Sequence, residues 1–257
     1  MKYTHRFQVK WHDTDANREV RPSQVLMYMQ ETANLQLRHH GISLDDLRDR
    51  HGLGFLLSRI SVRIYEPLYA FDEIDVQTWI CDSRGFSFNR CFCILKDGRV
   101  AAEAFSVWAL MNLCERRLVR VEEFDYGFAG DEALQLDLPR RVHFPSALTV
   151  EEAGERTIRY CDVDYNGHMN NTKYPDMLCD FVPDIFSKRV LGFTLSYVHE
   201  ASFGHTLRIC RAKGTDGYWF RTVDSDGTVC LEAYLLTEGR TDVGERKGGC
   251  YEEQKDH

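Results

Sequence analysis

Asp164, Asn166 and His168 alternate along the second half of the chain, and side chains of these types can orient water and stabilise charge in hydrolysis. In an extended segment alternate side chains project to the same side, so the three groups could meet at one centre. Asn170 and Asn171 follow and are good N-caps for a helix, whose first N–H groups and positive dipole end favour a developing negative charge. The spacing therefore predicts a site suited to holding an oxyanion.

The residues around this triad extend the prediction. Gly167 would allow the backbone to approach a ligand closely, and with Met169, Asn170 and Asn171 it forms the segment expected to position the substrate or the oxyanion. Glu200 lies in an otherwise apolar run, 193–203, and is either a solvated edge residue or a buried base with a raised pKa. A local alternative stays open, because DxDxN patterns also build Asx turns beside which a histidine only caps or hydrogen-bonds.

Other chemistries are not indicated. The GxSxG, HExxH, GxGxxG and phosphate-loop patterns do not occur. Nine cysteines are spread thinly without a CxxC pair, which argues against a zinc site or a disulfide framework and favours reduced thiols; Cys91 and Cys93 are expected to share one packed face. No metal or cofactor is therefore expected, and the net charge of −8 makes nucleic acid an improbable partner.

Targeting signals are also not recognised. No run of eighteen apolar residues occurs, so no membrane span is predicted. The first ten residues lack the order of a signal peptide, and an Arg- and Ser-rich transit segment is not seen. These features lead us to expect a cytoplasmic protein.

The chain repeats itself once. Asp13, Asp15 and Asn17 carry the same DxDxN pattern as the second half, 149 positions earlier. Further correspondences follow in the same order: Glu66 faces Glu200, and an Asp-Gly pair at 97–98 faces another at 226–227. Two copies of one domain are therefore predicted.

Each copy shows one helical apolar stripe followed by strand-like runs. In the first copy Pro22 marks the helix start and Gly41 its end; in the second the helix is expected to begin at Asn170 or Asn171 and to end at Pro183. This pattern predicts an α+β fold in which a long helix is wrapped by an antiparallel sheet in each half. The expected boundaries are 1–121 and 146–240 for the two domains, 122–145 for a linker and 241–257 for a polar tail.

Residues 162–174 read DVDYNGHMNNTKY and match, at every specified position, the DxDxNxHxNNxKY signature of the acyl-acyl carrier protein thioesterases, which the chain resembles over residues 3–240. The resemblance implies two tandem hotdog domains and hydrolysis of fatty acyl-carrier protein, with the catalytic half second and the acyl chain bound on the side of the first. It carries the family's functional residues onto Asp164, Asn166, His168 and Glu200. Ala201 stands where plant members have cysteine, so a Cys-His-Asn triad could not operate through that position. Since plant members have transit peptides, a bacterial relative is expected.

Two mechanisms remain open at this point. In the preferred one Glu200 is the general base for water, His168 and Asn166 orient the water and the thioester, Asp164 fixes these side chains, and N–H groups at the helix start receive the oxyanion. In the other, Asp164 attacks the carbonyl and forms an anhydride. Rival functions are an acyl-CoA thioesterase and a non-catalytic acyl-binding protein.

The first copy is expected to bind rather than to catalyse, because Glu19 stands where the second copy has His168. The carrier protein is acidic, and this chain is acidic too, so docking requires a local basic face. Lys188 and Arg189 are the first choice for that face. Other candidates are Arg116 and Arg117 with Arg120, and Arg140 with Arg141. A homodimer is expected by analogy, because hotdog sheets often pair across subunits.

Overall fold

The structure, a computed structural model, describes residues 2–240, so the predicted tail at 241–257 lies outside the described residues. The first half consists of β1 (Tyr3–Gln8), α1 (Pro22–His39), α2 (Leu44–Asp49), β2 (Leu53–Ile64), β3 (Glu73–Arg84), β4 (Ser87–Lys96), β5 (Arg99–Asn112) and β6 (Arg117–Val119). The second half consists of β7 (Glu151–Thr157), α3 (Tyr174–Cys179), β8 (Lys188–Tyr197), β9 (Thr206–Lys213), β10 (Gly217–Val223) and β11 (Val229–Gly239).

The strands of both halves form one antiparallel sheet. Its order is β1-β3-β4-β5-β2-β8-β11-β10-β9-β7, and β6 pairs with β5 beside this path. The halves join where β2 pairs with β8, from Arg59 opposite Ser196 to Arg63 opposite Gly192. A Cβ atom at Gly192 would lie 2.6 Å from the carbonyl oxygen of Val62, so this crossing requires glycine. The predicted pair of sheets is therefore a single sheet that runs through the chain.

One hydrophobic core also spans both halves. The stripe on α1, including Val25, Met29 and Leu37, is buried, and the core continues through Phe193 and Leu195 of β8. Because α1 and the strands bury complementary apolar faces, the α+β arrangement predicted from periodicity is confirmed. The turn at 97–98 is confirmed as well: Asp97 and Gly98 have φ of +50° and +73°, as a tight hairpin requires.

The second helix is shorter than predicted. A single 3-10 turn, Asn171–Lys173, precedes α3, and α3 has only six residues, Tyr174–Cys179. The expectation of a long helix from Asn170 or Asn171 to Pro183 was wrong, because 3-10 geometry replaces the α-helix on both sides of α3. After Cys179 the backbone bonds span three residues, from Phe181 to Leu178 and from Val182 to Cys179. Asn170 does act as a cap, but for the 3-10 turn.

The segment predicted as a linker crosses the outer face of the sheet. The hydroxyls of Ser61 on β2 and Thr194 on β8 both donate to the carbonyl oxygen of Pro139, at 3.1 and 2.9 Å. The amide of Val142 donates to the hydroxyl of Ser196 at 3.3 Å. The linker thus lies over the seam between the halves and helps to hold it.

Candidate active site

The signature segment forms a tight turn rather than an extended strand. The side chain of Asp164 accepts a hydrogen bond from the amide of Asn166 at 2.8 Å, which is an Asx turn, and Gly167 has φ of +79°. The amide of Asp164 donates back to the carbonyl of His168 at 3.0 Å and closes the loop. The alternative of an Asx turn is thus correct for the backbone. The side chains of Asn166 and His168 take no part in the hydrogen bonds of this turn, so they can contact other groups.

His168 and Glu200 meet at this turn. Nδ1 of His168 lies 3.0 Å from a carboxylate oxygen of Glu200. A backbone bridge between His168 and Ser202 and a 2.8 Å hydrogen bond from the amide of Met169 to the carbonyl of Ala201 hold the two segments together. The Glu200 side chain is 59% exposed, so of the two predicted environments the structure shows the solvated one. A carboxylate beside an imidazole and open to water can accept a proton from a water molecule.

The polar residues flanking the turn are anchors. The carboxylate of buried Asp162 accepts from Nη2 of Arg156 at 2.7 Å and from the amide of Arg159 at 2.8 Å. The side chain of Asn170 accepts from the amide of Thr172 at 2.9 Å. The amide of Lys173 donates to the carbonyl of Asn170 at 3.0 Å.

These contacts change the predicted role of the helix start. Two of its N–H groups are already used by Asn170, and the α-helix itself begins only at Tyr174. Two of the backbone donors that were expected to receive an oxyanion are therefore occupied, and the side-chain amide of Asn166 offers a further donor.

Residues of the first half complete the site, and the sequence did not reveal them. Gln30 on α1 donates through Nε2 to the side-chain oxygen of Asn171 at 2.8 Å. Arg48 on α2 donates through Nη1 to the side-chain oxygen of Asn166 at 3.1 Å and lies 4.7 Å above the ring of Tyr165. Neither residue belongs to a motif, so no local signal could have identified them.

A cavity of about 300 Å³ opens beside the turn. Its polar lining comes from both halves: Asp164, Asn166, Asn170 and Asn171 from the second, and Gln30, Asn34, Arg48 and Arg90 from the first. Its apolar wall comes from α1, α2 and neighbouring strands of the first half, and consists of Ala33, Leu37, Leu44, Leu47, Leu53, Phe55, Leu56, Trp108 and Leu113. An apolar chain in this cavity would have its polar end at Asn166.

The position of the first copy that corresponds to His168 lies in a different environment. A second cavity, of about 350 Å³, is lined by Asp15, Glu19, Arg189 and Arg240 among others. Glu19, the counterpart of His168, accepts hydrogen bonds from Arg189 at 3.0 Å and from Arg240 at 2.7 Å. This ion-pair cluster connects the first half to the start of β8 and to the residue that follows β11.

That cluster also bears on the predicted carrier-binding pair. Arg189 shares the carboxylate of Glu19 with Arg240 and lies 3.8 Å from Glu238. Nζ of Lys188 donates to the carbonyl of Pro183 at 2.7 Å. Both residues line the second cavity rather than the one at Asn166. The sequence could not show this, because Glu19 lies 170 positions away from Arg189.

Of the two thiols near the motif, the buried one is a poor nucleophile. Burial raises the pKa of Cys179, which is the opposite of what a reactive thiolate needs. Cys161 is exposed, and Cys91 and Cys93 are buried in one cluster with Trp79, as predicted. Within residues 2–240 no group of three His, Cys, Asp or Glu side chains could hold a metal ion. Across the same residues no helix is long and apolar enough to cross a membrane.

A helix packed on an antiparallel sheet, repeated once and fused edge to edge, defines a tandem hotdog protein. Family models for the acyl-ACP thioesterase N-terminal and C-terminal domains match residues 1–126 and 146–238, so the chain belongs to the acyl-ACP thioesterase family.

Its similarity to plant relatives is distant but extended. Oleoyl-acyl carrier protein thioesterase 2 of Arabidopsis thaliana is 28% identical over 223 residues, covering 77% of this chain and 59% of that protein. Palmitoyl-acyl carrier protein thioesterase of Cuphea hookeriana is 23% identical over 257 residues, covering 94% of this chain and 62% of that protein. The chain thus spans about three fifths of the length of these curated relatives.

Solved structures show the same fold over nearly the whole chain. An acyl-ACP thioesterase from Bacteroides thetaiotaomicron superposes with a TM-score of 0.83 at 23% identity, covering 92% of this chain and 98% of that one. The 12:0-ACP thioesterase from Umbellularia californica superposes with a TM-score of 0.78 at 21% identity, covering 93% and 98%.

Proposed function

We propose that this protein hydrolyses fatty acyl-acyl carrier protein to a free fatty acid and holo-carrier protein, and so ends fatty acid synthesis in the cytoplasm. The observation that carries the proposal is the 3.0 Å contact between His168 and Glu200, on the same turn that presents Asn166 to a mainly apolar cavity. Membership of the acyl-ACP thioesterase family supports the same reaction.

In the mechanism that we favour, Glu200 takes a proton from water while the water oxygen bonds to the thioester carbonyl carbon. His168 holds Glu200 and orients the water, and the side-chain amide of Asn166 donates to the oxygen that becomes negative. Collapse of the tetrahedral intermediate expels the pantetheine thiolate, and the proton held by Glu200 passes to that thiolate, which restores the thiol and the carboxylate. This leaving group has a pKa of roughly 8.5, like cysteine, so it needs little acid assistance.

The geometry supports this mechanism over attack by Asp164. One oxygen of Asp164 already accepts the amide of Asn166 and shapes the turn, so its movement towards a carbonyl carbon would break that hydrogen bond. Glu200 has an exposed carboxylate that water can reach directly. The role of Asp164 in our proposal is therefore to hold the turn.

The carrier protein is the proposed partner, and charge complementarity favours a docking face that includes Arg140 and Arg141. Arg141 and Arg59 line an open cavity of about 610 Å³ on the linker side of the seam. Glu232 lines it too, but its carboxylate is paired with Arg221 at 2.7 Å. The pKa of Arg59 is lowered, first by burial and then by the positive charges of Arg141 and Arg140. Such a concentration of unbalanced charge suits the acidic surface of a carrier better than Lys188 with the paired Arg189.

The proposed site can be assembled within a single chain, and the homodimer stays a prediction. The sheet pairing on which the homodimer expectation rested takes place inside the chain, between β2 and β8. The candidate site is likewise assembled from the two halves of one molecule, through Arg48 and Gln30.

Release of free thiol from a chain-length series of acyl-carrier protein and acyl-CoA substrates tests the proposal. We expect His168→Ala and Glu200→Ala each to lower kcat at least tenfold, about 1.4 kcal/mol of barrier, with unchanged thermal unfolding. His199→Ala is the matched control, because His199 precedes Glu200 but contacts the carbonyl of Val229 at 2.9 Å. Cys161→Ala should also stay within a few-fold of wild type.

The outcomes separate the candidate functions. Thiol release that His168→Ala leaves unchanged would remove this turn from the mechanism. A higher kcat/KM on acyl-CoA than on acyl-carrier protein at every chain length would favour the CoA-dependent enzyme. Acyl binding without release from any substrate would indicate a non-catalytic binding protein.

A further inference from the structure

Arg48 reaches the catalytic turn from the other half of the chain. Arg48 is partly buried on α2, and its Nη1 atom lies 3.1 Å from the side-chain oxygen of Asn166. The guanidinium also lies 4.7 Å above the ring of Tyr165, which fixes its approach from a second direction. Two independent contacts therefore hold one cation beside one residue of the candidate site.

The chemistry of this contact determines how the amide of Asn166 is oriented. An arginine side chain has five N–H donors and no acceptor, so only the oxygen of the Asn166 amide can face it. The NH₂ group must then point away from Arg48. Since the amide of Asn166 lines the wall of the cavity, its two donor hydrogens are left for a ligand.

The charge of Arg48 also acts on the donor strength of that amide. A cation that hydrogen-bonds to the amide oxygen polarises the group and strengthens the hydrogen bonds that its NH₂ group donates. The neighbouring Arg50 is neutralised by Asp46 at 3.1 Å, whereas within residues 2–240 Arg48 forms no ion pair with a carboxylate. Its positive charge is thus available where negative charge develops on the substrate oxygen.

We propose that Arg48 is a positioning residue for hydrolysis: it sets the orientation of Asn166 and strengthens its donation to the oxyanion. The first half of the chain then contributes to the rate of the reaction and not only to binding of the acyl chain. This inference rests on the proposed function, because it requires that Asn166 faces the thioester oxygen.

A kinetic cycle tests the inference. We expect Arg48→Met to lower kcat at least tenfold with less than a threefold change in KM, and Arg48→Lys to recover most of that loss because a lysine still donates a charged hydrogen bond. Arg50→Met, at the C-cap of the same helix, should leave both constants unchanged. If Arg48 acts through Asn166, the double variant Arg48→Met with Asn166→Ala should match Asn166→Ala alone within twofold.

Three results would contradict a positioning role for Arg48. A kcat for Arg48→Met within twofold of wild type, or losses that multiply in the double variant, would overturn the inference. So would a rise in KM on acyl-carrier protein that is absent with a small pantetheine thioester, because Arg48 would then contact the carrier. Should Arg48→Met unfold, Arg48→Gln and Arg48→Lys carry the same comparison.

A spectroscopic measurement keeps the inference separate from the proposed function. The side-chain NH₂ resonances of Asn166 in ¹⁵N-labelled protein should shift in Arg48→Met and stay in place in Arg50→Met. If wild type releases no thiol from any thioester, the proposed function fails, while an unchanged Asn166 signal would refute the contact itself.

Discussion

Replacing Glu19 with glutamine removes the charge that joins the two halves at the second cavity. The Glu19 side chain is 11% exposed and pairs with Arg189, which is 33% exposed, and Arg240, which is 15% exposed. Loss of one member of a buried ion pair costs roughly 3 to 5 kcal/mol, because the remaining charge is left unpaired. Since water reaches Arg189, we expect about 2 to 3 kcal/mol, or a fall in Tm of roughly 5 to 10 °C for a chain of this length.

The stability lost in Glu19→Gln should be largest at neutral pH and smaller in acid. Burial by itself raises the pKa of Glu19, but hydrogen bonds from Arg240 and Arg189 outweigh it, so the pKa lies below its ordinary value. A lowered folded-state pKa gives stability that is present above the unfolded pKa, roughly 4.3, and is lost as the pH falls through the folded value. The gap between wild type and Glu19→Gln should therefore be full at pH 7 and shrink below about pH 4.

Denaturant unfolding at a series of pH values measures this gap. Glu238→Gln is the matched control, because Glu238 lies 3.8 Å from the same Arg189 but is 49% exposed, and we expect it to cost less than about 0.5 kcal/mol. Turnover of Glu19→Gln at a temperature where it is folded should remain close to wild type. Equal stability of the two proteins at pH 7, or a gap that persists unchanged to pH 3, would refute the reasoning.

Two further predictions concern the substrate. Replacing Arg140 and Arg141 with glutamate should raise KM for acyl-carrier protein at low salt and leave KM for a small pantetheine thioester unchanged. A larger rise in KM from Lys188→Glu with Arg189→Glu would instead indicate that this pair is the docking face. Leu56→Phe, which narrows the cavity, should shift preference to shorter acyl chains, by about fourfold in kcat/KM for each methylene denied burial at roughly 0.8 kcal/mol. Met29→Leu, in the core but not on the cavity wall, should leave the length profile unchanged, and an unshifted profile in Leu56→Phe would refute an acyl site there.

Local patterns were sufficient for much of the fold. The apolar stripe of α1, the alternation of the strands and the Asp97-Gly98 turn depend on residues within a few positions of each other, and the structure has them as predicted. The repeat likewise led to the two-copy architecture. Pro175 limits where α3 can start, because proline fits only the first turn of a helix. The end of α3 at Cys179 has no glycine or proline beside it, so the sequence did not reveal how short the helix is.

The candidate site also combines features that the sequence determined with features that it did not. Asp164, Asn166 and His168 belong to one turn, whose Asx hydrogen bond and glycine are encoded within five residues, so the sequence by itself determined that they lie together. It also suggested Glu200, as the carboxylate of an otherwise apolar run and through the family resemblance. What it could not determine was whether Glu200 is exposed or buried, because that depends on which segment packs beside it.

Only the tertiary structure decided the contacts between the halves. Arg48 meets Asn166 across 118 positions, and Arg189 meets Glu19 across 170. Each is one polar residue among many, and nothing in its own neighbourhood distinguishes it from a solvated surface charge. Such pairs exist because β2 joins β8 and brings the two copies edge to edge, and that packing is a property of the whole core rather than of any short segment.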